Sequence, residues 1–186
     1  MSTTQNSCDD LRIPGRLHCN DRDPDLEFES GEALYRWHKP GIQHLSNGQV
    51  SAAAVKKVFR DPHDTSVNRG KYCKNCTDVL YDHHRGNHRS NCGVLKATVE
   101  KADGSEETVS WNDHEGRTIK KSYKFQVLHE PEECMYPHSV IAVYDGDERI
   151  HEKPSASTAR SALRAVLRTF FTSCHRPGDD SSLRTS

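Results

Sequence analysis

The sequence predicts an α+β domain: an antiparallel sheet of about four or five strands with a C-terminal amphipathic helix and one shorter helix. Short segments rich in β-branched and aromatic residues alternate with turn residues through the middle of the chain. Near the C-terminus, apolar residues recur at three- and four-residue spacing instead. The core is expected to be small, because apolar residues make up 33% of the 186 residues and the mean hydropathy is −0.88, whereas ordinary globular chains are about 45–50% apolar.

A single folded domain is predicted over residues 30–176, a length that suits one core. Residues 1–29 mix Asp, Asn, Arg and Pro with isolated apolar residues and show no helical or strand period, so this segment is predicted to be disordered. Residues 177–186 have the same character and are predicted to form a disordered tail.

The predicted strands combine β-branched or aromatic residues with flanking Gly, Pro or acidic residues. They are Ala33–Trp37, Val94–Lys101, Ser122–Leu128 and Ser139–Tyr144, and Glu106–Trp111 is a candidate fifth. The Asp103-Gly104 pair is typical of a hairpin connection and lies between the second segment and the candidate fifth. This part of the sheet is therefore predicted to be antiparallel.

The C-terminal helix is predicted over Ser157–Ser173, preceded by Pro154 and followed by Pro177. Its apolar stripe consists of Ala159, Ala162, Leu163, Val166, Leu167, Phe170 and Phe171. An arginine ridge, Arg160, Arg164 and Arg168, recurs every four residues on another side. This ridge is either a solvated face or a surface that contacts phosphates.

Six potential metal ligands lie in one short window: Cys73, Cys76, His83, His84, His88 and Cys92. The shorter helix is predicted over Lys71–Asp82, which would place Cys73 and Cys76 on one face. Together with His88 and Cys92 they could bind Zn²⁺, and His83 or His84 are alternative ligands. In the competing interpretations, the two cysteines are small buried apolar residues or a redox dithiol.

Charge and cysteine content bear on the location of the protein. The 26 basic and 27 acidic residues nearly balance, so no overall field favours nucleic acid or a membrane. No segment approaches the roughly 18 consecutive apolar residues that span a bilayer. The N-terminus lacks the basic start and apolar run of a secretory signal, so the protein is expected to be soluble and cytoplasmic, where its seven cysteines would stay reduced.

Two histidines flank the loop between the last two predicted strands. His129 closes one strand and His138 opens the next. Both imidazoles could therefore face one cleft and act as an acid and base pair near neutral pH. The competing interpretation is a pair of surface or structural histidines.

Further polar residues lie near the start of the folded part. The segments are Leu34-Tyr35-Arg36-Trp37, Ser51-Ala52-Ala53-Ala54 and Ser66-Val67-Asn68-Arg69-Gly70-Lys71-Tyr72. Together with His129-x-Pro131 and His138-Ser139, this pattern resembles a family of small uncharacterised bacterial proteins linked to defence or mobile genes, over residues 33–146. The resemblance implies a fold-sized unit and candidate polar residues, but no reaction. The cysteines of the Cys73–Cys92 window depart from the family pattern.

The first functional hypothesis is an enzyme that acts on a nucleotide or nucleic-acid phosphate, by phosphoester cleavage or ADP-ribosyl transfer. The predicted catalytic residues are His129, His138 and Arg36, and the predicted substrate-binding residues are Ser66, Asn68 and Arg69. For ADP-ribosyl transfer, Glu130 is the candidate acidic residue. No Gly-rich phosphate loop occurs, which disfavours ATP hydrolysis and nicotinamide chemistry.

The alternative hypothesis is a non-catalytic, zinc-stabilised module that binds nucleic acid or an acidic protein partner. Its binding surface would combine the arginine ridge with Arg85, Arg89, Lys120, Lys121 and Lys124. The near-zero net charge counts against tight nonspecific binding to DNA. The oligomeric state is left open by both hypotheses.

Overall fold

The computed structural model describes residues 23–39, 50, 65–82, 87–132, 135–150 and 157–177. The strands in these ranges are β1 (Ala33–His38), β2 (Thr65–Arg69), β3 (Tyr81–Asp82), β4 (Asn87–His88), β5 (Gly93–Thr98), β6 (Glu106–Asn112), β7 (Thr118–His129), β8 (His138–Asp145), β9 (Glu148–Arg149) and β10 (Thr172–His175). The α-helices are α1 (Val99–Ala102) and α2 (Ser157–Phe170), and two 3₁₀ helices cover Gly70–Tyr72 and Cys76–Leu80.

The prediction of an α+β domain is wrong, because the protein is mainly β. About 48% of the described residues lie in strands or bridges and about 22% are helical. The predicted four or five strands are part of a curled antiparallel sheet with seven strands along its path. The additional members include β2 and β10, which have only five and four residues. Such short strands have too few residues for a clear alternating pattern.

The order along this sheet is β10-β5-β1-β2-β8-β7-β6, and the short β9 pairs with β8. All neighbouring strands are antiparallel. β2 lies between β1 and β8, so it joins the β10–β5–β1 part of the sheet to the β6–β7–β8 meander. A separate two-stranded ribbon consists of β3 and β4.

The predicted hairpin at Asp103-Gly104 does not form between β5 and β6. Instead, α1 follows β5 directly, and β6 pairs with β7 at the opposite end of the sheet. Gly104 has a φ of +70° and donates its N–H to the Phe125 carbonyl at 2.9 Å. The Asp103 carboxylate accepts from the Val127 N–H at 2.8 Å. These bonds attach the turn to the edge of β7, so the turn residues mark a crossover rather than a hairpin.

The predicted helix over Lys71–Asp82 is also wrong. This stretch contains the two short 3₁₀ helices and β3. Asp78 accepts from the backbone N–H groups of Lys74 and Asn75 at 2.6 and 3.2 Å, and Asn75 caps the second 3₁₀ helix by accepting from Thr77. Side chains that bind nearby backbone groups in this way compete with α-helical hydrogen bonds.

One face of the sheet carries the main core. Phe125 of β7 meets Phe170 of α2 in an edge-to-face contact with ring centroids 5.1 Å apart, and Leu163 and Leu167 of α2 are fully buried in the same cluster. The C-terminal helix was thus predicted correctly at its start, but it ends at Phe170 and is followed by β10. Within the described ranges, no helix is long and apolar enough to cross a membrane.

The opposite face carries a smaller cluster beneath the second 3₁₀ helix. Its buried members are Val79, Leu80, Cys92 and Val94, with Tyr35, Trp37, Cys73 and Cys76 packed against them. The two faces follow from the alternation of side chains along β1, which places Leu34 in the main core and its neighbour Tyr35 in the smaller cluster.

Residues 23–32 run against the sheet although residues 1–29 were predicted to be disordered. Tyr136 donates to the Asp23 carbonyl at 2.9 Å, and the Asp25 N–H donates to the His129 ring at 2.8 Å. Arg69 binds the carbonyls of Asp25 and Glu27. The folded unit therefore includes residues 23–29, whereas residues 1–22 and 178–186 lie outside the described part of the chain.

Candidate functional site

The two histidines of the predicted acid and base pair lie on opposite faces of the sheet. His129 of β7 pairs directly with Ser139 of β8. His138 is the residue before Ser139, and successive side chains of a strand point to opposite faces. His138 therefore does not share a cleft with His129, and the structure does not assemble the predicted two-histidine site.

His129 is bound by the protein through both of its ring nitrogens. Nε2 lies 2.6 Å from the Tyr136 carbonyl, which can only accept, so Nε2 donates and Nδ1 accepts from the Asp25 N–H. The ring is 4% exposed and packs against Tyr72 and Tyr136. Burial lowers the pKa of His129 and is the largest influence on that pKa. This geometry gives His129 a structural role, with no nitrogen left for a substrate.

Arg69 is likewise enclosed, although it was predicted to bind substrate. Its side chain is fully buried, with Nε and Nη2 bound to the Glu32 carboxylate at 2.8 and 2.7 Å. Nη1 and Nη2 also donate to the carbonyls of Asp25 and Glu27 at 2.6 and 2.5 Å, and Phe28 covers the guanidinium at 4.0 Å. The cation is neutralised and covered by protein, so this arrangement does not offer it to an anionic ligand.

Ser66 and His138 are two predicted site residues whose side chains meet in the structure. Asn68 of β2 is directly opposite His138 of β8, and Ser66, two residues before Asn68, lies on the same face. The Ser66 hydroxyl is 3.0 Å from His138 Nε2. Ser66 is exposed whereas His138 is 7% exposed, so a hydroxyl that solutes can reach is hydrogen-bonded to a buried imidazole.

The backbone fixes the tautomer of His138. Nδ1 is 2.7 Å from the Glu130 carbonyl, and because a carbonyl can only accept, Nδ1 carries the proton. In the neutral ring, Nε2 is then the acceptor and the Ser66 hydroxyl is the donor. A carboxylate oxygen of Glu132 is 3.4 Å from Nε2. It can stabilise positive charge on the ring once Nε2 is protonated.

Two further polar residues lie near this pair: Asn68 on the same face of the sheet, and Arg36, which reaches the Ser66 backbone from the face of Leu34. Asn68 is 5% exposed, and its Oδ1 is buried without a hydrogen-bond partner, a costly condition that a bound donor would relieve. Arg36 of β1 donates from Nη1 to the Ser66 carbonyl at 2.5 Å, and its Nε is also buried without a partner. Burial lowers the pKa of Arg36 to about 10, so the guanidinium stays charged at neutral pH.

Glu130, the predicted acidic residue of an ADP-ribosyl transfer site, is held elsewhere. Its carboxylate pairs with Arg149 at 2.7 Å. Only its backbone carbonyl contributes to the Ser66–His138 pair. The acidic side chain near that pair is Glu132, which the sequence hypothesis did not include.

The predicted zinc ligands are not gathered around one point. His88 is exposed on β4 and meets Tyr81 edge to face, whereas Cys92 is 7% exposed in the smaller cluster. In the described ranges, no group of three or more His, Cys, Asp or Glu residues is positioned to hold a metal ion. The alternative ligands His83 and His84 lie outside those ranges.

Several basic residues of the alternative hypothesis lie beside acidic or aromatic side chains of the protein itself. Lys121 pairs with Asp145, and Lys124 is opposite Glu106 in the sheet. Arg89 pairs with Asp82 at 3.2 Å and lies over the Trp37 ring at 4.4 Å. All three members of the arginine ridge are only partly exposed, and Arg160 and Arg164 make further contacts. Arg85 lies outside the described residues.

The pairing of Ser66 with His138 was not predicted, although both residues were singled out. The missing information was that residues 65–69 form a strand beside residues 138–141. Thr65 and Val67 are buried β-branched residues that alternate with exposed Ser66, a weak strand signal that could have identified β2. The sequence contains no comparable signal for the pairing of β2 with β8.

Comparison with protein-family models, curated proteins and solved structures found no significant match. The resemblance to small bacterial proteins over residues 33–146 therefore stays a prediction. The chemical interpretation of the site depends on the side chains around Ser66 and on their geometry.

Proposed function

We propose that this protein is an enzyme that cleaves phosphate esters, with Ser66 as the nucleophile and His138 as its general base. The observation that carries the proposal is the 3.0 Å hydrogen bond between the Ser66 hydroxyl and His138 Nε2. The Glu130 carbonyl holds the proton of the ring on Nδ1 at 2.7 Å, so the unprotonated nitrogen faces the hydroxyl. A nucleophile bonded to a base, which is itself oriented by a third group, is the usual arrangement in nucleophilic catalysis.

The reaction takes two steps. Ser66 Oγ attacks the phosphorus atom while its proton moves to His138 Nε2, and that proton then passes to the departing alcohol. The resulting phosphoserine is attacked by water, which gives a proton to Nε2 and releases phosphate as Ser66 Oγ takes that proton back. The Glu132 carboxylate, 3.4 Å from Nε2, favours the protonated ring in both steps.

Arg36 is the reason for choosing a phosphate ester as the substrate. Its guanidinium bonds to the backbone carbonyl of Ser66, so a fixed cation lies beside the residue that carries the nucleophile. Arg36 leaves β1 on the face of Leu34, opposite that of the Ser66 side chain. Guanidinium groups match the geometry of phosphate oxygens and stabilise the charge that develops during phosphoryl transfer. Within this class we propose a nucleotide or nucleic-acid phosphate as the substrate, and the Asn68 amide as a group that helps to orient it.

ADP-ribosyl transfer has less support, because the Glu130 carboxylate is paired with Arg149. The non-catalytic binding module also has less support, because acidic residues accompany several of its basic residues. We place the enzyme in the cytoplasm.

The test is an activity assay with the full chain on bis(p-nitrophenyl) phosphate, p-nitrophenyl phosphate and p-nitrophenyl acetate. Wild-type protein should release p-nitrophenol from at least one phosphate ester. Ser66→Ala and His138→Gln should each reduce that rate by about 10²-fold or more, the contribution of a nucleophile and its base. Intact-mass measurement after a rapid acid quench should detect one phosphoryl group on the wild type and none on Ser66→Ala.

Matched controls separate catalysis from folding. Ser110→Ala replaces an exposed serine on β6, and His114→Gln replaces a histidine whose side chain is 85% exposed. Both variants should keep the wild-type rate. Equal activity in wild type, Ser66→Ala and His138→Gln would reject the catalytic assignment, and cleavage of the acetate ester alone would reject the phosphate preference.

A further inference from the structure

A carboxylate lies beside the base of the Ser66–His138 pair. Glu132 Oε1 is 3.4 Å from His138 Nε2, the same nitrogen that lies 3.0 Å from the Ser66 hydroxyl. The Glu132 side chain is 57% exposed, whereas the His138 ring is buried. A ligand that contacts both Ser66 and His138 Nε2 therefore comes within a few ångströms of this negative charge.

Within the described ranges, no lysine or arginine pairs with the Glu132 carboxylate. Its ion-pair partner is His138, which carries a positive charge only when Nε2 is protonated. Glu130 differs, because its carboxylate pairs with Arg149 at 2.7 Å. The neutral His138 ring, which is the form that accepts the Ser66 proton, thus leaves the negative charge of Glu132 without a neutralising partner.

The cations near the pair are less directly placed than this carboxylate. Arg36 reaches the Ser66 backbone carbonyl from the opposite face of the sheet. On the face of the Ser66 side chain, a row of directly paired residues crosses four strands and consists of His138, Asn68, Tyr35 and Lys96. Lys96 is exposed but lies three strands away from His138. One nearby cation and one carboxylate give the site little net charge, which suits an anion with a single charge.

We propose that the site takes phosphodiesters, such as an internucleotide linkage, in preference to phosphate monoesters, and that Glu132 sets this preference. The inference rests on the proposed function of Ser66 and His138. A diester carries one negative charge at neutral pH, whereas a monoester carries about −1.5 to −2. An additional negative charge roughly 6 Å from a carboxylate, at an effective dielectric constant of about 40, weakens binding by about tenfold.

On a diester, the two proposed steps balance as follows. Ser66 Oγ bonds to phosphorus, the bond from phosphorus to one ester oxygen breaks, and His138 passes the Ser66 proton to that oxygen. The covalent intermediate keeps the second ester group and a single negative charge. Water then replaces Ser66 Oγ on phosphorus, the Ser66 oxygen recovers a proton through His138, and a phosphate monoester leaves. Because this product carries more negative charge than the diester, Glu132 also favours its release.

The first experiment compares hydrolysis of bis(p-nitrophenyl) phosphate and p-nitrophenyl phosphate by the full chain. Wild-type kcat/KM should be at least tenfold higher for the diester. Glu132→Gln keeps the size of the side chain and should lower this ratio by about tenfold, and Glu132→Lys should lower it further. Loss of the effect of Glu132 on the His138 ring slows both reactions and therefore cancels in the ratio.

The matched control is Glu115→Gln. The Glu115 side chain is 53% exposed, close to the value for Glu132, and it lies in the turn between β6 and β7. This variant should keep the wild-type ratio. Turnover with the same ratio in wild type and Glu132→Gln would overturn the inference and leave the proposed enzyme intact.

A binding measurement separates this inference from the proposed catalysis. Isothermal titration in mildly alkaline buffer compares phenylphosphonate, which carries two negative charges there, with its monomethyl ester, which carries one. The monomethyl ester should bind the wild type at least tenfold more tightly, and Glu132→Gln should remove most of this difference. The same result in a protein without turnover would reject catalysis and retain the charge preference. Equal affinity for the two compounds in the wild type, or binding of neither, would overturn the inference.

Discussion

The guanidinium group of Arg69 and the carboxylate of Glu32 form two parallel hydrogen bonds, 2.8 and 2.7 Å long, in the protein interior. The two side chains are 0% and 2% exposed. Asp25 lies 3.4 Å from the same guanidinium and also pairs with Lys71 at 2.6 Å. This arrangement attaches residues 23–32 to β2, and Glu32 is the more buried of the two carboxylates beside the Arg69 cation.

Glu32→Gln should destabilise the protein by about 3–5 kcal/mol, because it removes the buried carboxylate that bonds to Arg69 and leaves the cation only the more exposed Asp25 carboxylate at 3.4 Å. The free energy of unfolding from urea titration measures this change. The control is Glu115→Gln, which removes the exposed partner of Arg117 and should change stability by about 1 kcal/mol or less. A loss of similar size in the two variants would contradict a special role for the buried pair.

The pH dependence of stability should reflect the buried state of His129. Burial lowers the pKa of His129 in the folded protein, and a proton on the ring would face the Arg69 cation. Below pH 6.5, the ordinary value, the unfolded chain therefore takes up a proton that the folded chain does not. This stabilisation is complete above pH 6.5 and decreases as the pH falls toward the folded-state pKa, by at most about 1.4 kcal/mol per pH unit.

Urea titrations at several pH values between 6.5 and 5 measure this slope. His129→Gln should have a smaller slope than the wild type. Some slope should remain, because burial also lowers the pKa of His38. His114→Gln, which removes an exposed histidine, should keep the wild-type slope. Identical slopes in wild type and His129→Gln would show that the His129 ring does not resist protonation in the fold.

Local sequence patterns predicted β1, β6, β7, β8 and the start of α2 close to their observed positions. β7 has inward residues alternating with outward ones, β8 is a run of buried, mostly apolar residues, and α2 has an apolar stripe at helical spacing. The helix over Lys71–Asp82 was wrong because Asn75 and Asp78 bind backbone N–H groups that an α-helix would use. The order of strands in the sheet depends on distant pairings, for which the local pattern contains no information.

In the candidate site, too, local sequence features were predictable and distant contacts were not. Ser66, Asn68, His138 and Arg36 were singled out because their side chains suit phosphate chemistry, and the structure places them on or beside neighbouring strands. His129 and Arg69 were chosen on the same grounds. Their structural roles follow from contacts with residues 23–32, a segment whose polar composition gave no indication that it packs against the sheet.

Gly93→Ala should destabilise the protein because no space exists for a side chain at this position. A Cβ atom there would lie 2.3 Å from His38 Nε2 and 2.9 Å from the His175 carbonyl. His38 is buried, so overpacking should cost about 1–3 kcal/mol. Thermal or urea unfolding measures the loss. Gly31→Ala, where no atom lies within 4 Å of the added Cβ, is the control and should be nearly neutral.

A double variant identifies the cause of this loss. In the background of His38→Ala, the Gly93→Ala substitution should cost clearly less than it does alone, because the closest obstructing ring has been removed. Strictly additive effects would indicate that the His175 carbonyl, and not the imidazole, limits the space.

Arg36→Met should change the substrate preference of the proposed enzyme. Removal of the cation should reduce the rate on bis(p-nitrophenyl) phosphate by about 10²-fold, the size expected when one charged donor is lost from a transition state. Hydrolysis of p-nitrophenyl acetate, which is uncharged, should decrease much less. Arg36→Lys retains a charge at the same position and should recover part of the phosphate activity. Equal losses on both esters would show that Arg36 supports the fold rather than the substrate.

The position of β2 between β1 and β8 has a consequence for how the protein acquires its site during synthesis. Ser66 and His138 are 72 residues apart in sequence, whereas the β6–β7–β8 meander is built from neighbouring segments. Local pairings form faster than distant ones, because closing a long loop costs more entropy. A chain that has left the ribosome only as far as β7 cannot contain the Ser66–His138 pair, so the proposed activity should arise late, when β8 docks against β2.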